Sequence, residues 1–441
     1  MAVMIYLLWF RLARIPQVSP PQPLSPHTYH HHPPTSTTHQ PSTPGHHHND
    51  SPQNPPLHRP PLPFAPPTLL QTPTHAPNPN EALIKVTWTC STPLDLHRAA
   101  GNLAIPSFPF HLGTAFAGTI VTLWLSPSLS SSSGLNINHE LHETLKEGDR
   151  VFGFVSDGNP REAGFQTYVT VPVHKISKLP QGIVGWGLRE AVTVPANLVT
   201  AFHCLSADLG IRLPWPKPRG FKGGEGKKVL VWGGGSSVGL YVIQVLKHWG
   251  YDHVIAVASG KHHGELRRLG ARVCFDYRNS GVVGEIGRYL DREGGQGAGP
   301  RIPYFVDCIG SRDGTLKPLS KIAERGSKVA VMLPVIEVPA AEGRRPVFAA
   351  DEKHVEGVVW QEGVEVMGVR TLNYEENGFY RDKLQPEIIP ALLAQGAIQP
   401  NRTRIVEGAT LLERAQNALQ LLRDQVPSGE RLVWKVSEDE Q

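Results

Sequence analysis

A cluster of glycines near the middle of the chain has the residue types and spacing of a phosphate-binding turn. The apolar run Val229–Trp232 predicts a strand before the cluster, and the spacing of Val238, Val242 and Val245 predicts a helix after it. Glycines at such a junction allow a phosphate to approach free backbone amides at the positive end of the helix. Glycine also occurs in ordinary loops, so the prediction depends on the flanking elements. The predicted site for a dinucleotide diphosphate consists of Gly233, Gly234, Gly235, Ser236, Ser237, Val238 and Gly239.

The next predicted strand, residues 253–258, indicates which dinucleotide binds. An NAD-binding unit places Asp or Glu near the end of this strand, where the carboxylate accepts the ribose hydroxyls. Here Ser259 and Lys261 follow instead, and a hydroxyl with a cation suits a 2′-phosphate. Tyr277 is a third candidate ligand. The predicted cofactor is therefore NADPH; the alternative is a solvated loop whose lysine faces water.

Strand and helix patterns alternate through the second half of the chain. Repeated units of this kind predict a parallel, doubly wound sheet, and the fold class is α/β. A further helix over 382–395 and a closing strand over 430–436 follow the sheet. The predicted strands of the sheet are 229–232, 253–258, 272–275, 303–308, 328–333 and 363–369, and its helices are 237–249, 261–269, 281–290 and 315–324.

The region before this sheet is predicted to be mostly β. Residues 81–88 alternate apolar and polar side chains, as a strand does, and a short helix follows near 95–99. We expect a glycine-rich turn over 113–118 and a turn that leads into a strand over 148–154. The nearly all-serine stretch 126–133 is typical of a flexible surface insertion.

The N-terminal segment differs in composition from the rest of the chain. Residues 1–80 contain twenty of the 41 prolines and ten of the 21 histidines. Proline lacks a backbone donor, and the segment offers little apolar surface, so we predict a disordered tail over residues 1–66. Its apolar start, residues 2–10, covers at most half of the roughly 20 residues that a membrane span needs. A mitochondrial transit peptide is the alternative interpretation.

Composition excludes several classes of function. The formal net charge of +4 is small for 441 residues and gives no nucleic-acid footprint. The four cysteines, Cys90, Cys204, Cys274 and Cys308, lie far apart without a CxxC pair, so neither a disulfide framework nor a thiolate zinc lobe is predicted. A reducing compartment fits this pattern, and we expect a cytoplasmic protein that binds a small-molecule substrate.

Taken together, these motifs resemble the medium-chain dehydrogenase/reductase superfamily. The resemblance is to the zinc-independent branch of quinone oxidoreductase-like and enoyl reductase-like proteins, and to fungal zinc-type alcohol dehydrogenase-like oxidoreductases. It covers residues 67–436. Besides the glycine turn, the matching segments are residues 80–86, Thr92-Pro93-Leu94-Asp95, 113–118, Gly148-Asp149-Arg150-Val151, 306–310 and 429–436.

The resemblance implies a two-domain architecture. A mostly β, GroES-like catalytic domain begins at residues 67–196, and a Rossmann domain with a doubly wound parallel sheet that binds NADP occupies 197–370. Residues 371–441 return to the catalytic domain. Many members of the superfamily are homodimers joined through the edge of the Rossmann sheet, which makes a homodimer the expected assembly.

The zinc ligands of alcohol dehydrogenases in this superfamily are missing. Thr92 stands where those enzymes have a cysteine, Thr114 where they have a histidine, and Ala115 where an acid follows. Cys90 is displaced by two positions, which favours a packed thiol over a ligand. We therefore expect no catalytic metal.

The absence of zinc ligands changes the expected chemistry. Alcohol oxidation in this superfamily relies on zinc to stabilise an alkoxide, whereas quinones and α,β-unsaturated carbonyls accept a hydride at a carbon that is already electrophilic. The charge then appears on an oxygen that needs only donors. The candidate catalytic residues are Thr92, Asp95 and His97, with Thr92 as a donor to the oxygen and His97 as a proton source or cofactor contact. Alternatively, Thr92 fills space, Asp95 caps a helix and His97 faces solvent.

The resemblance also places a second set of residues beside the nicotinamide. These are Thr200, at the start of a helix, and Cys308, Ile309 and Gly310 at the end of a strand. Doubly wound sheets bind ligands at the carboxyl ends of their strands, which supports the second group. The predicted function is NADPH-dependent reduction of a quinone or an α,β-unsaturated carbonyl without zinc. The alternatives are a freestanding enoyl reductase of secondary metabolism and a non-catalytic NADPH-binding protein.

Overall fold

The computed structural model describes residues 2–7, 67–126, 145–182, 184–224, 226–294 and 299–437. Its strands are β1 (Ala2–Leu7), β2 (Pro67–Thr72), β3 (Glu81–Ser91), β4 (Phe110–His111), β5 (Ala115–Trp124), β6 (Arg150–Phe154), β7 (Tyr168–Pro172), β8 (Ser177–Lys178), β9 (Val229–Trp232), β10 (Val254–Val257), β11 (Val273–Phe275), β12 (Tyr304–Asp307), β13 (Lys328–Met332), β14 (Ile336–Val338), β15 (Val347–Phe348), β16 (Glu365–Val369), β17 (Arg402–Ile405) and β18 (Glu430–Lys435).

The helices are α1 (Pro93–Gly101), α2 (Leu188–Ala191), α3 (Pro195–His203), α4 (Ser237–His248), α5 (His263–Leu269), α6 (Val282–Glu293), α7 (Lys317–Ser320), α8 (Gly378–Lys383), α9 (Ile389–Ala394) and α10 (Leu411–Arg423). None of them combines the length and apolar character that crossing a bilayer requires.

Six parallel strands form the predicted doubly wound sheet, in the order β11-β10-β9-β12-β13-β16. All six predicted strands are present, which confirms the α/β fold class. Trp232 at the end of β9 pairs with Asp307 at the end of β12. The glycine turn and the turn at Cys308 therefore leave the sheet side by side, at its carboxyl edge.

A seven-stranded sheet carries the other half of the fold. Its order is β17-β18-β3-β5-β6-β8, and β7 also pairs with β3. Strand β3 extends three residues beyond the predicted 81–88 and ends at Ser91, directly before Thr92. Because the closing strand β18 pairs with the end of β3, the C-terminal part of the described chain supports the segment that leads into Thr92.

The predicted glycine-rich turn over 113–118 is wrong in its second half. Residues from Ala115 onward belong to β5, where Ala115, Phe116 and Ala117 are fully buried and pair with β6. Only Gly113, with a φ of +103°, has the left-handed conformation of a turn. Gly118 lies within β5. The residue there is glycine because a Cβ would lie 2.0 Å from the carbonyl oxygen of Lys85. This glycine reflects a close approach between two strands.

The prediction of a disordered tail over residues 1–66 does not hold for residues 2–7. They form β1, which lies between β2 and β4 in a three-stranded sheet. Met4 and Ile5 are buried, and the Ile5 amide donates to the Phe165 carbonyl at 3.0 Å. An apolar run of six residues is too short to span a membrane, but it has enough apolar surface to join a core. The rest of the tail and residues 127–133 of the serine-rich stretch lie outside the described residues.

Two predicted helices are shorter or interrupted. Over 315–324, a wide turn at 312–316 precedes the single turn of α7. Over 382–395, the wide turn 384–388 separates α8 from α9. Pro386 and Pro390 each remove a backbone donor from this stretch, which explains the interruption. Helix α10 was not predicted; Thr410 begins it by accepting a hydrogen bond from the Glu413 amide at 3.1 Å.

A continuous apolar core joins the two sheets. It contains Val231 of β9 and Val242 of α4, together with Phe152 and Cys90 of the seven-stranded sheet. Helices α2 and α3 connect them and bury residues such as Val199. This core connects β3, which ends directly before Thr92, with the elements that the sequence predicts to bind the dinucleotide.

Candidate active site

The glycine turn after β9 has no room for a side chain at two of its glycines. Gly233 has a φ of +81°, and a Cβ there would lie 2.6 Å from the Ile309 side chain. At Gly239 a Cβ would lie 2.4 Å from the carbonyl oxygen of Gly233. The Ser236 hydroxyl accepts the Gly239 amide at 3.1 Å and so begins α4. Side chains larger than hydrogen at Gly233 and Gly239 would force the turn open.

Three backbone donors of this turn remain available. The N–H groups of Gly233 and Gly234 donate to the carbonyl of Val257 at 2.9 and 3.1 Å. Within the described part of the chain, the N–H groups of Gly235, Ser237 and Val238 have no acceptor. They lie in the turn and the first helical positions, where the helix dipole favours an anion. The predicted diphosphate ligands thus include the free donors that such a group needs.

The turn after β12 is fixed from behind by Asp307. Its Oδ1 atom accepts the backbone N–H groups of Ile309 and Gly310 at 3.0 and 3.1 Å, and its Oδ2 accepts the Thr315 hydroxyl at 2.6 Å. The side chain is fully buried, and burial raises the pKa of Asp307 to about 6 although these hydrogen bonds oppose the rise. We did not single out Asp307 from the sequence. An acid at the end of an apolar strand was the available signal.

Cys308 and Gly310 are held tightly in this turn. Gly310 has a φ of +65°, and a Cβ there would lie 2.2 Å from the Met332 carbonyl oxygen. Cys308 is buried beside Ser236, whose hydroxyl hydrogen-bonds the thiol. Burial raises the pKa of the thiol, and the Asp307 charge raises it further. Cys308 is therefore a neutral thiol at neutral pH. Its role in this turn is packing, because it does not supply a thiolate.

Thr200 lies in the second half of α3, so the prediction that it stands at the start of a helix is wrong. It links this helix to the end of the parallel sheet. Its hydroxyl donates to the Ala196 carbonyl at 2.7 Å and lies 3.0 Å from the hydroxyl of Thr371, which follows β16. Since Thr200 uses its proton on Ala196, the Thr371 hydroxyl is the donor between them. The pair brings α3 to the same carboxyl edge as the glycine turn.

The end of β10 contains an unsatisfied hydroxyl. Ser259 is buried, and its Oγ has no hydrogen-bond partner among the described residues. A buried polar group without a partner costs about 1–3 kcal/mol, which a ligand at this position offsets. Lys261 is exposed and has no ion pair within the described ranges, and Tyr277 is 50% exposed. Ser259, Lys261 and Tyr277 stay candidate ligands of the 2′-phosphate that the sequence predicts.

His262 is a residue of this region that the sequence analysis missed. Its Nε2 lies 2.9 Å from the Ser428 hydroxyl, and its ring lies against Gly235 and Gly429, where added Cβ atoms would come within 3.0 and 2.6 Å. The imidazole therefore fills the space between the glycine turn and the segment that leads into β18. No local sequence pattern indicates that His262 contacts Gly429, which lies 167 positions later in the chain.

Thr92 and Asp95 form a capping box at the start of α1. The Thr92 amide donates to Asp95 Oδ2 at 2.6 Å, its hydroxyl donates to the same atom at 3.1 Å, and the Asp95 amide donates back to Thr92 Oγ1 at 3.4 Å. Asp95 is fully buried, and burial raises its pKa to about 6. The structure thus has the helix cap that was one of the two interpretations of Asp95. The other Asp95 oxygen, Oδ1, has no partner within the described residues.

His97 is buried and does not face solvent. Its ring meets Phe348 of β15 edge-on, with centroids 5.2 Å apart and planes at 85°. Burial lowers the pKa of His97 to about 4, so the imidazole is neutral at pH 7. Its Nδ1 has no partner among the residues described. A neutral imidazole can donate a hydrogen bond but does not supply a positive charge.

Cys90 is a packed thiol. It is fully buried, donates to the Val192 carbonyl at 3.3 Å and accepts from Arg431 Nη2 at 3.4 Å. Within the described ranges, no three His, Cys, Asp or Glu side chains are grouped as metal ligands. Thr92, at the position of the cysteine ligand, is committed to the cap of α1.

Sequence comparison places the chain among known proteins. Residues 78–201 match the alcohol dehydrogenase GroES-like domain. A trans-enoyl reductase of Aspergillus japonicus is 30% identical over 363 residues, which is 82% of this chain and 91% of that protein.

Structural comparison gives the same architecture. An alcohol dehydrogenase superfamily protein from Novosphingobium aromaticivorans superposes with a TM-score of 0.60 at 21% identity, covering 85% of this chain and 97% of that one. The quinone oxidoreductase of Escherichia coli, solved with NADPH, gives a TM-score of 0.56 at 16% identity and covers 84% and 95%. At these identities the likeness establishes the fold.

Proposed function

Because the chain belongs to the medium-chain dehydrogenase/reductase superfamily, in its zinc-independent branch, and is an oxidoreductase of that group, we propose that it reduces an α,β-unsaturated carbonyl or a quinone with NADPH. The observation that carries the proposal is the set of unsatisfied donors along one edge of the parallel sheet. The free amides of Gly235, Ser237 and Val238 suit a diphosphate, and the orphaned Ser259 hydroxyl beside Lys261 suits a 2′-phosphate.

The same edge supports the nicotinamide end of the cofactor. Asp307 fixes the backbone of Ile309 and Gly310, and Thr371 holds Thr200, so these residues form a rigid wall for the ring. The side chain of Ile309 remains 42% exposed at this wall and offers an apolar contact. Bound NADPH supplies a hydride, and the protein supplies position and hydrogen-bond donors.

The candidate catalytic residues have distinct proposed roles. Reduction of an unsaturated carbonyl or a quinone places negative charge on an oxygen, which hydrogen-bond donors stabilise. We assign the Thr92 hydroxyl and the neutral His97 imidazole as those donors. Asp95 is a positioning residue, because it holds the Thr92 backbone and hydroxyl at the start of α1. Use of Thr92 requires its hydroxyl to turn from Asp95 Oδ2 toward the substrate.

Two observations favour particular alternatives. The relative in Aspergillus japonicus is named a trans-enoyl reductase, which favours a freestanding enoyl reductase of secondary metabolism over a quinone reductase. The hydrogen bond that occupies the Thr92 hydroxyl favours a non-catalytic NADPH-binding protein. We further propose that the catalytic domain spans 67–196 and 371–441, and that the Rossmann domain spans 197–370. The proposed location is cytoplasmic, and the alternative is mitochondrial.

A direct test uses the purified full-length protein with NADPH and three acceptors, namely an enoyl thioester, a 2-enal and a quinone. Oxidation of NADPH by any acceptor, unchanged by a metal chelator, is the expected result, and the preferred acceptor separates the enoyl from the quinone reductase. Binding of NADPH without turnover on all three would favour the binding protein. If neither NADPH nor NADH binds, the proposed function is refuted.

A further inference from the structure

An acidic side chain contacts the loop that would form the proposed 2′-phosphate pocket. Oδ2 of Asp276, which follows β11, accepts the backbone N–H of Gly260 at 2.9 Å. Gly260 stands between Ser259 and Lys261, and a Cβ on it would lie 3.0 Å from the same carboxylate oxygen. The carboxylate therefore contacts the loop that contains two of the three candidate phosphate ligands.

A carboxylate at this position opposes NADPH. In NAD-binding proteins an acid near the end of the second strand accepts the ribose hydroxyls, and its charge repels a 2′-phosphate. Asp276 comes from the neighbouring strand, but it reaches the same loop. Unless its charge is neutralised, the pocket combines one lysine with one carboxylate and has no net attraction for a dianion.

Arg278 supplies the neutralising charge. Its guanidinium binds the Asp276 carboxylate through both oxygens, with Nε 3.0 Å from Oδ1 and Nη2 2.7 Å from Oδ2. This two-point ion pair holds the pKa of Asp276 below its usual range, so the acid is ionised and paired. The Arg278 amide also donates to Oδ1 at 3.0 Å, so the backbone turn does not depend on the guanidinium.

We propose that Arg278 sets the preference for NADPH over NADH by neutralising Asp276 beside the 2′-phosphate pocket. This inference rests on the proposed NADPH-dependent function. With the guanidinium in place, Lys261 and Arg278 outweigh one carboxylate, and the pocket attracts a phosphate. Without it, the unpaired carboxylate repels the 2′-phosphate and is free to accept the ribose hydroxyls of NADH.

The test measures dissociation constants of NADPH and NADH by the fluorescence of the bound reduced coenzyme, so it does not require turnover. The full-length wild type is compared with Arg278→Gln, Asp276→Asn and the double variant. Arg292→Gln, an exposed arginine in the last turn of α6, is the matched charge control.

The wild type should bind NADPH more tightly than NADH. Arg278→Gln should weaken NADPH about tenfold, as one uncompensated charge at this range does, and leave NADH unchanged or tighter. The double variant should recover NADPH affinity to within about threefold of the wild type, because the repelling carboxylate is gone as well. Arg292→Gln should match the wild type for both coenzymes.

The double variant decides the inference. If it binds NADPH as weakly as Arg278→Gln does, Arg278 acts without Asp276 and the proposal is overturned. Equal weakening of NADPH and NADH in Arg278→Gln would also overturn it. A wild type that binds neither coenzyme, or both equally, would instead refute the NADPH assignment on which the inference rests.

Discussion

The Asp307 carboxylate accepts the backbone N–H of Gly310 at 3.1 Å, from behind the turn that faces the proposed nicotinamide site. The same oxygen accepts Ile309 at 3.0 Å, while the other oxygen accepts the Thr315 hydroxyl. A single buried side chain thus fixes two residues of the wall and ties them to Thr315. Since burial raises its pKa to about 6, this carboxylate is charged at neutral pH at a cost to stability.

Replacing Asp307 by Asn should preserve the turn and remove that cost. The amide oxygen can accept both backbone N–H groups, and the amide NH₂ can donate to Thr315, whose own proton then goes to the Ser311 carbonyl 2.9 Å away. We expect Asp307→Asn to melt at or above the wild-type temperature at pH 7. Asp307→Ala leaves the buried Gly310 N–H and the partly buried Ile309 N–H unpaired. An unpaired buried group costs about 1–3 kcal/mol, so this variant should melt lower and bind NADPH more weakly.

The pH dependence of the Asp307 variants gives an independent check. A raised carboxyl pKa means that the folded protein holds the proton more tightly than the unfolded chain. The resulting stability is present below about pH 4 and is lost as the pH rises through about 6, for a total near 3 kcal/mol. The melting temperature of the wild type should therefore fall, relative to that of Asp307→Asn, between pH 4 and pH 7. A constant difference across this range would contradict the assignment.

Gly239→Ala tests the glycine turn. The new methyl group would lie 2.4 Å from the Gly233 carbonyl oxygen and 2.8 Å from the Gly234 Cα, both of them backbone atoms that cannot rotate away. The turn must open, so we expect the dissociation constant of NADPH to rise at least about tenfold, and the melting temperature to fall. Titration of coenzyme fluorescence measures the first effect.

Gly287→Ala is the matched control for Gly239→Ala. Gly287 lies within α6, and a Cβ there meets no atom within 4 Å. Alanine in an open helical position stabilises by about 0.5–1 kcal/mol relative to glycine, so this variant should melt slightly higher and bind NADPH normally. If both alanine variants bind NADPH as the wild type does, the turn after β9 is not the diphosphate site.

The features that the sequence predicted correctly are those determined by local periodicity. The strands of the parallel sheet read as apolar runs, and the turn at Gly233 stands between a strand and a helix, so both were found without knowledge of distant contacts. The capping interpretation of Asp95 was also local, because Thr92 and Asp95 are three residues apart. The two turns after β9 and β12 lie at the same carboxyl edge of the sheet, where the rule for doubly wound sheets places a ligand.

The features that were missed depend on distant partners. Strand β1 is flanked by a proline-rich stretch, and its pairing partner β2 begins 60 residues after Leu7, so no local pattern indicated a strand. The position of His262 depends on Ser428, and that of Asp276 on Gly260, which lies in the loop after the neighbouring strand β10. The burial of His97 comes from Phe348, which lies more than 200 residues away. A local sequence pattern does not indicate contacts between residues so far apart in the chain.

Thr92→Val separates the structural role of Thr92 from its proposed role as a donor. The variant loses the hydroxyl that caps α1, which costs about 1 kcal/mol. If Thr92 also donates to the substrate oxygen, kcat with the best acceptor should fall at least about tenfold while the dissociation constant of NADPH is unchanged. Thr92→Ser keeps the hydroxyl and should retain most activity.

The control for Thr92→Val is Thr410→Val, which removes the equivalent cap from α10. An equal loss of activity in Thr410→Val would assign the effect to stability.

The outer edge of the parallel sheet predicts the assembly state. At Gly368 of β16, the backbone N–H donates to Glu352 Oε1 at 3.1 Å, and the carbonyl accepts from Arg370 at 3.1 Å. A homodimer joined through this edge, as the superfamily resemblance implies, needs those two groups for a second copy. With both occupied, we expect this edge to be blocked and the wild type to be monomeric by size-exclusion chromatography with light scattering, contrary to the homodimer that the resemblance implies. Glu352→Ala should expose the edge and give a dimer fraction that grows with concentration, whereas Glu356→Ala, in the same segment but exposed, should not. A wild-type dimer that persists in Glu352→Ala would place the interface on another surface.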